Sequence, residues 1–231
     1  MITIVVPAYN EEDILSDFLV EVAKFVDKEN NIEVLVVNDG SKDKTSKILE
    51  DAKKKYFFLQ VITHKVNKGL GAALASGFKN AKGDIIVTLD SDLTHSPEFI
   101  KEILNNKQNY NCCIASRYIS GGGMRYVPAY RIWLSIFANK IFSLLYSIPV
   151  KDITSGFKMY DAAMVRSMEI TSKSFSVQLE IMVRLAKQGA MFKEIPFVLV
   201  NRTKGKSKFS FRIIPEYMSV CAKLFLIRWF H

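Results

Sequence analysis

Five short β-branched apolar runs punctuate the first 120 residues, and none alternates cleanly between apolar and polar as a strand with one wet face must. They span Ile2 to Val6, Ile32 to Val37, Leu59 to Thr63, Asp84 to Leu89 and Cys112 to Ser116. The stretches between them predict helices over Glu11 to Asp27, Lys42 to Tyr56, Leu70 to Ala81 and Pro97 to Asn105, with Ser41 and Ser96 as N-caps. Strands of this kind are covered on both faces. The expected fold class is therefore α/β, a doubly wound, mostly parallel sheet flanked by helices. With 231 residues, 49% of them apolar, the chain suffices for one such domain over 1–231, divided near residue 120 into two halves of different character.

Ligands of doubly wound sheets collect beyond the carboxyl ends of the strands. The first run ends in Pro7-Ala8-Tyr9-Asn10-Glu11-Glu12, the second in Asn38-Asp39-Gly40-Ser41 and the fourth in Asp90-Ser91-Asp92. Helix capping would explain any one of these acidic ends. Three together, with an aromatic ring beside the first, point to a ligand. Asp90 and Asp92 follow a buried strand directly, a good place for a hard cation. Mg²⁺ or Mn²⁺ is held by one or two carboxylates plus substrate phosphates, and the diphosphate of a nucleotide is the natural further partner. Gly69-Leu70-Gly71 is not a dinucleotide fingerprint, because the third glycine would fall at Leu74 and the segment does not open the first βα turn.

Charge separates the halves. Residues 1–120 carry 15 basic and 17 acidic side chains, whereas residues 121–231 carry 17 and 6, so the halves carry −2 and +11 and the net charge of +9 comes from the second. Such an excess asks for a polyanion: nucleic acid, an anionic membrane surface or a phosphorylated substrate. Within that half the run from Arg131 to Ile148 is very apolar, yet Arg131, Ser135, Asn139, Ser143 and Ser147 recur every fourth residue. Four residues turn a helix by about 400°, so these groups form one narrow polar stripe. That pattern suits an amphipathic helix lying in a membrane interface; a buried core helix is the alternative. A second such helix is expected from Pro215 to Phe230, preceded by five cations between Arg202 and Arg212 that would attract anionic lipid at about 1 kcal/mol each or form a solvated loop. Sixteen residues reach about 24 Å, short of the roughly 30 Å of a bilayer core. The segment from Met1 to Pro7 lacks the basic region and long apolar stretch of a signal peptide and reads as a strand. Adjacent Cys112 and Cys113 are expected as core thiols in a reducing compartment, and His64 and His95 as ordinary surface or helix-start residues.

Pro7-Ala8-Tyr9-Asn10-Glu11, Asn38-Asp39-Gly40-Ser41, Asn67-Lys68-Gly69-Leu70-Gly71, Asp90-Ser91-Asp92, Ser116-Arg117-Tyr118 and Thr154-Ser155-Gly156-Phe157 resemble the ordered motif series of family 2 inverting glycosyltransferases. Ser155-Gly156-Phe157, Gln178-Leu179-Glu180, and Arg202 followed by Gly205-Lys206-Ser207-Lys208 are similar to the dolichol-phosphate mannosyltransferase group within it. The resemblance implies a GT-A fold and transfer of a hexosyl group to dolichyl or polyprenyl phosphate. GDP-mannose is the first donor expected and UDP-glucose the second. It implies that Pro7, Tyr9, Glu11 and Asp39 hold the nucleoside, and that Asp90, Ser91 and Asp92 meet the diphosphate, with Mg²⁺ or Mn²⁺ on the two aspartates. Arg117, Arg202 and Lys208 would contact donor phosphates or sugar, and Arg131 and Ser135 the lipid phosphate, with Asp92, Arg117 and Arg131 as the catalytic set. Where the mannosyltransferases carry Gln two residues past the second metal aspartate, this chain has Thr94, whose shorter hydroxyl would reach the ion or act through water. The departure bears on the sugar, not on the family.

A polyprenyl phosphate, with a second pKa near 6, is already mostly anionic at neutral pH, so no strong general base is required. The work is to bring two anions together and stabilise the departing nucleoside diphosphate. The expected location is the cytoplasmic face of a membrane, peripheral or monotopic, with no nucleic-acid partner. Phe225 replaces the Gln of the Gln-x-x-Arg-Trp motif that polysaccharide-building members carry before Arg228-Trp229, which argues against a processive polymerase. Two other readings compete: a glycosyltransferase with a soluble acceptor, in which the greasy helices are core, and a non-enzymatic basic binding module, which leaves the three acidic strand ends unexplained.

Overall fold

The computed structural model describes residues 1–26, 31–200 and 214–230. In chain order its elements are β1 (Ile2–Ala8), α1 (Leu15–Val26), β2 (Ile32–Asn38), α2 (Thr45–Lys55), β3 (Leu59–Thr63), α3 (Leu70–Asn80), β4 (Ile85–Thr88), α4 (Phe99–Asn105), β5 (Cys112–Ser116), β6 (Gly123–Arg125), α5 (Ala129–Tyr146), β7 (Lys158–Asp161), α6 (Ala162–Val165), α7 (Val177–Lys187), β8 (Phe192–Pro196), β9 (Val198–Val200) and α8 (Ile214–Trp229). Seven strands form one sheet in the order β3-β2-β1-β4-β7-β5-β8, and β6 pairs with β9 in a separate ribbon. Within the large sheet β7 runs antiparallel to both of its neighbours, and the remaining pairs are parallel.

Burial on both faces follows the period of two. In β1, Ile4, Val6 and Ala8 enter one core with α1, α2 and α4, while Val5 enters the other with α3 and α7. The same alternation sends Cys113 and Ala115 of β5 to the first core, and Cys112 and Ile114 to the second. The two cysteines therefore face away from each other as free buried thiols, and burial pushes Cys113 up to about 11.

Ser41 and Ser96 do not cap helices. Ser41 Oγ accepts the Asn10 N–H at 3.0 Å, and Asp43 Oδ1 accepts the Thr45 N–H at the start of α2 at 2.9 Å. Here the polar side chains of two rim loops satisfy each other, and the N-cap position of α2 falls on Lys44, which makes no side-chain cap bond. The fourth helix starts later than expected, at Phe99, whose N–H goes to the Ser96 carbonyl. α5 ends at Tyr146, so Ser147, with φ of 49°, falls outside the helix and leaves the polar stripe one member shorter.

The glycines at the head of α3 have a packing role. A Cβ on Gly71 would lie 1.8 Å from the Ser172 carbonyl oxygen, and Gly69, at φ of 92°, abuts Lys173 in the same way. Glu180 of α7 holds that opposing segment from below. It accepts the N–H groups of Thr171 and Ser172 and pairs with Arg184 at 2.7 Å. Burial raises the Glu180 carboxyl, but these bonds outweigh it and its pKa is lowered. Gly71→Ala is expected to lose about 1–3 kcal/mol by overpacking against backbone, whereas Gly123→Ala, with nothing within 4 Å, stays near neutral; denaturant unfolding of both variants checks this.

Candidate active site

The carboxyl ends of β2, β1 and β4 lie side by side, which brings Asp39, the Tyr9 to Glu11 turn and Asp90 to one rim. Short bonds knit the rim together. Ser91 Oγ reaches the Pro7 carbonyl at 3.4 Å, Thr45 Oγ1 accepts the Glu11 N–H at 2.9 Å, and Asn10 Oδ1 accepts the Lys42 N–H at 2.9 Å. Asp39 is buried, with Oδ1 taking the Lys68 N–H at 2.9 Å and Oδ2 the Gly69 N–H at 2.7 Å. Its third partner is His64, Nδ1 to Oδ1 at 2.7 Å, and His64 Nε2 meets Ser76 Oγ at 2.9 Å. His64 is thus no surface residue; it holds a rim carboxylate in place, as a buried charge requires.

Asp90 borders the 152–156 loop, whereas Asp92 is turned inward and buried. Leu93 adopts φ of 60°, which folds Thr94 back so that its N–H and hydroxyl both donate to Asp92 Oδ1, at 3.0 and 2.6 Å. A bulky side chain in the left-handed region costs about 1–3 kcal/mol and marks a turn held by its surroundings. His95, also expected at the surface, is buried against Phe157 and Phe197 with Nδ1 3.8 Å from Asp90 Oδ2. Among the described residues no three acidic, histidine or cysteine side chains converge as a self-sufficient metal cluster. The donor set here is hard oxygen from one or two carboxylates, which fits a divalent cation that arrives with a diphosphate.

The end of β5 and the 152–158 segment form a second polar cluster beside the rim. Arg117 leaves the end of β5 and forks onto Asp152, Nε to Oδ2 at 2.8 Å and Nη2 to Oδ1 at 2.6 Å, while Nη2 also reaches Thr154 Oγ1 at 3.1 Å. Burial works against its charge, but the Asp152 carboxylate more than compensates and the guanidinium pKa is raised. Lys158 opens β7 with a fully buried ammonium that donates to the carbonyls of Ile153 and Ser155 and to Gln178 Oε1. Asp152 and Lys158 escaped the sequence reading, Thr154 entered it only as part of a motif, and His64 and His95 were given no part in the site. Their signal, a polar residue embedded in an apolar run or just before one, is visible in the sequence only for Lys158.

Helix α5 turns its greasy side outward: Trp133, Phe137 and Leu144 are 71%, 65% and 72% exposed, while Asn139 is fully buried. This is the reverse of a core helix. Arg131 is exposed on its first turns, and Ser135 accepts the Tyr118 hydroxyl at 2.6 Å. A cavity of about 520 Å³ opens beside them, lined by Arg117, Tyr118, Ile132, Ile136, Lys140 and Lys151 among others. α8 packs on α5 and adds exposed Met218, Leu226, Trp229 and Phe230. Arg228 Nε donates to the Tyr146 carbonyl at 3.0 Å and Trp229 Nε1 to the Leu145 carbonyl at 3.2 Å, which satisfies the end of α5 and places a cation at its negative pole. Among the described residues no helix is long and apolar enough to cross a membrane. Arg202 and Lys208 lie outside the described residues.

A seven-stranded, mostly parallel sheet with an acidic carboxyl rim and one antiparallel strand defines an α/β fold whose ligand site lies at the carboxyl ends of its strands. The sequence model of Glycosyl transferase family 2 matches residues 3–168, and the chain belongs to that family. It is 31% identical over 221 residues to the dolichol-phosphate mannosyltransferase of Pyrococcus furiosus, a match that covers 94% of this chain but 61% of that protein, so the chain spans less than two thirds of that relative's length. It is 28% identical over 218 residues to the undecaprenyl-phosphate mannosyltransferase of Micrococcus luteus, covering 92% of this chain and 88% of that one. To the polyprenol monophosphomannose synthase of Mycolicibacterium smegmatis it is 29% identical over 223 residues, with 93% and 83% covered. The solved structure of glucosyl-3-phosphoglycerate synthase from Mycobacterium tuberculosis with Mn²⁺, UDP and phosphoglyceric acid superposes at a TM-score of 0.72 and 18% identity, covering 99% of this chain and 78% of that one; the likeness establishes the fold.

Burial pushes Lys158 down to about 8. Because its folded pKa lies below the ordinary 10.5, the unfolded chain binds more protons between those values, and stability rises with pH across that window. The stability difference between wild type and Lys158→Met, read from denaturant midpoints, is expected to grow in favour of wild type from about pH 8 to 10.5; a difference independent of pH contradicts the buried ammonium.

Proposed function

We propose that this chain transfers a hexosyl group from a nucleotide sugar to a polyprenyl or dolichyl phosphate with inversion, mannose from GDP-mannose being the first donor to test and UDP-glucose the second. One observation carries the reading: a helix with outward apolar side chains borders a cavity lined by Arg117, Lys140 and Lys151, and the 152–156 loop that holds Arg117 lies against Asp90 of the carboxylate rim. The relatives in Pyrococcus, Micrococcus and Mycolicibacterium are all named for mannosyl transfer to, or mannose on, a polyprenyl-type carrier, which supports the acceptor class. Thr94, committed to Asp92, keeps the choice of sugar a matter for experiment.

In this reading Pro7, Tyr9, Glu11 and Asp39 hold the nucleoside, and Asp90 and Asp92, with Ser91 and Thr94 beside them, hold Mg²⁺ or Mn²⁺ against the diphosphate. Crystals of structural neighbours with Mn²⁺ or Mg²⁺ and UDP support a divalent ion. When bound, the ion neutralises charge on the departing diphosphate. Arg117, Arg202 and Lys208 supply further positive charge on the donor side, and Arg131 and Ser135 take the lipid phosphate. One phosphate oxygen attacks the anomeric carbon as the bond to the diphosphate breaks, and the oxygen is already anionic, so no protein base intervenes. The 1–120 half serves the donor and the 121–231 half the acceptor. Exposed Trp133, Phe137, Leu144, Trp229 and Phe230 seat the protein on the cytoplasmic face of a membrane as a peripheral or monotopic enzyme.

A panel of labelled sugar nucleotides and short polyprenyl phosphates tests the reading. Asp92→Ala is expected to abolish transfer with every donor. Arg131→Ala is expected to raise the KM for lipid phosphate on the order of tenfold, the worth of one charge-assisted hydrogen bond, and to spare a soluble acceptor; equal loss with both acceptors contradicts its role. Wild type is expected to co-sediment with anionic vesicles, and Trp133→Asp combined with Phe137→Asp to stay in the supernatant. Wild type that ignores vesicles would favour a soluble acceptor instead.

A further inference from the structure

Asn139 stands in the middle of α5, two residues from exposed Phe137 and Ile141 on either side, yet it is 0% exposed. Both sides of its carboxamide are used. Nδ2 donates to the Ser135 carbonyl at 2.8 Å and to Thr154 Oγ1 at 3.0 Å, and Oδ1 accepts the Thr154 N–H at 3.1 Å. Burying an amide is costly unless each group is paired, and a leucine would suit packing alone. The polar choice serves its partner. Thr154 Oγ1 also receives Arg117 Nη2, and Asp152, two residues earlier, takes the Arg117 fork. Two residues later Gly156 lies against the rim: a Cβ there would sit 3.1 Å from Asp90 Oδ2, and its carbonyl accepts Thr88 Oγ1 at 2.7 Å. Asn139 and Thr154 thus form a reciprocal clasp between the helix that carries Arg131 and Ser135 and the loop that borders Asp90.

We infer that Asn139 is a positioning residue that sets the register of α5 on the 152–156 loop, and so aligns the acceptor phosphate with the sugar on the Asp90 rim. The inference rests on the lipid-phosphate reading above. Asn139 touches neither substrate, so its loss acts on alignment after both are bound. A misplacement of about 1 Å between reacting groups is worth on the order of 100-fold in rate.

The test uses the full chain with a short polyprenyl phosphate and the labelled donor that wild type uses. Asn139→Leu and Thr154→Val are each expected to lower kcat by at least about tenfold, with KM for both substrates within about twofold and unchanged affinity for nucleoside diphosphate with Mn²⁺. The double variant is expected to be no worse than either single one, because both break the same clasp. Thr154→Ser, which keeps the hydroxyl, is expected to restore kcat. Thr154→Val retains the N–H bond and carries the test where Asn139→Leu fails to fold. Wild-type kcat in a folded Thr154→Val, or a loss confined to KM, overturns the inference while leaving the acceptor reading intact. Absence of transfer to any polyprenyl phosphate by wild type removes the acceptor reading and the inference with it.

Discussion

A buried ammonium is tolerated only where oxygen atoms surround it, and the Lys158 amine gathers three: the carbonyls of Ile153 and Ser155 and the side-chain amide of Gln178. That convergence dictates the shape of the 152–156 loop, because two of the three oxygens are its own or its neighbour's backbone. From the loop the order spreads outward. Asp152 fixes Arg117, Thr154 fixes α5, and Gly156 presses against Asp90. β7 brings all of this to the correct rim because it runs antiparallel: the residues that precede it arrive where the residues that follow β4 and β5 leave.

The strands and helices of the first 120 residues were legible because burial on both faces leaves a run of β-branched side chains, and because the polar groups displaced from those runs accumulate at their ends. The end residues of helices were less legible. Ser41 is a good cap in isolation, but the approach of Asn10 engages its hydroxyl and α2 starts after Lys44 instead. The rim carboxylates Asp39, Asp90 and Asp92 could be read from their positions after strands; the residues that hold them could not. His64 and Thr154 each reach a partner in a different element, and no local pattern announces a contact of that kind.

The polar stripe on α5 was visible as a periodicity, but its direction was not. A stripe of serine and asparagine on an apolar helix ordinarily suggests that the polar side meets water. Here it meets polar groups of the protein, at Tyr118, Thr154 and the Ile148 carbonyl, and the apolar side is left outside. Desolvating polar groups inward is favourable only because each finds a partner, and leaving Trp133 and Phe137 outside forgoes the burial that drives the rest of the fold. Three cations of the second half lie in the same region, Lys140 and Lys151 along the cavity and exposed Arg131 on the first turn of α5.

The antiparallel strand also bears on the order of assembly. β2 and β3 pair with strands close to them in sequence, but Ile2 of β1 meets Ile85 of β4 across 83 residues of chain, and Thr88 of β4 meets Lys158 across 70. Closing loops of that length is entropically late relative to local pairing. A growing polypeptide that has paired β4 with β1 holds Asp39, Asp90 and Asp92 on a half-built sheet, with one edge of β4 open, until β7 has been synthesised. The window in which that bare strand edge is available to other chains is set by translation speed rather than by the stability of the finished protein.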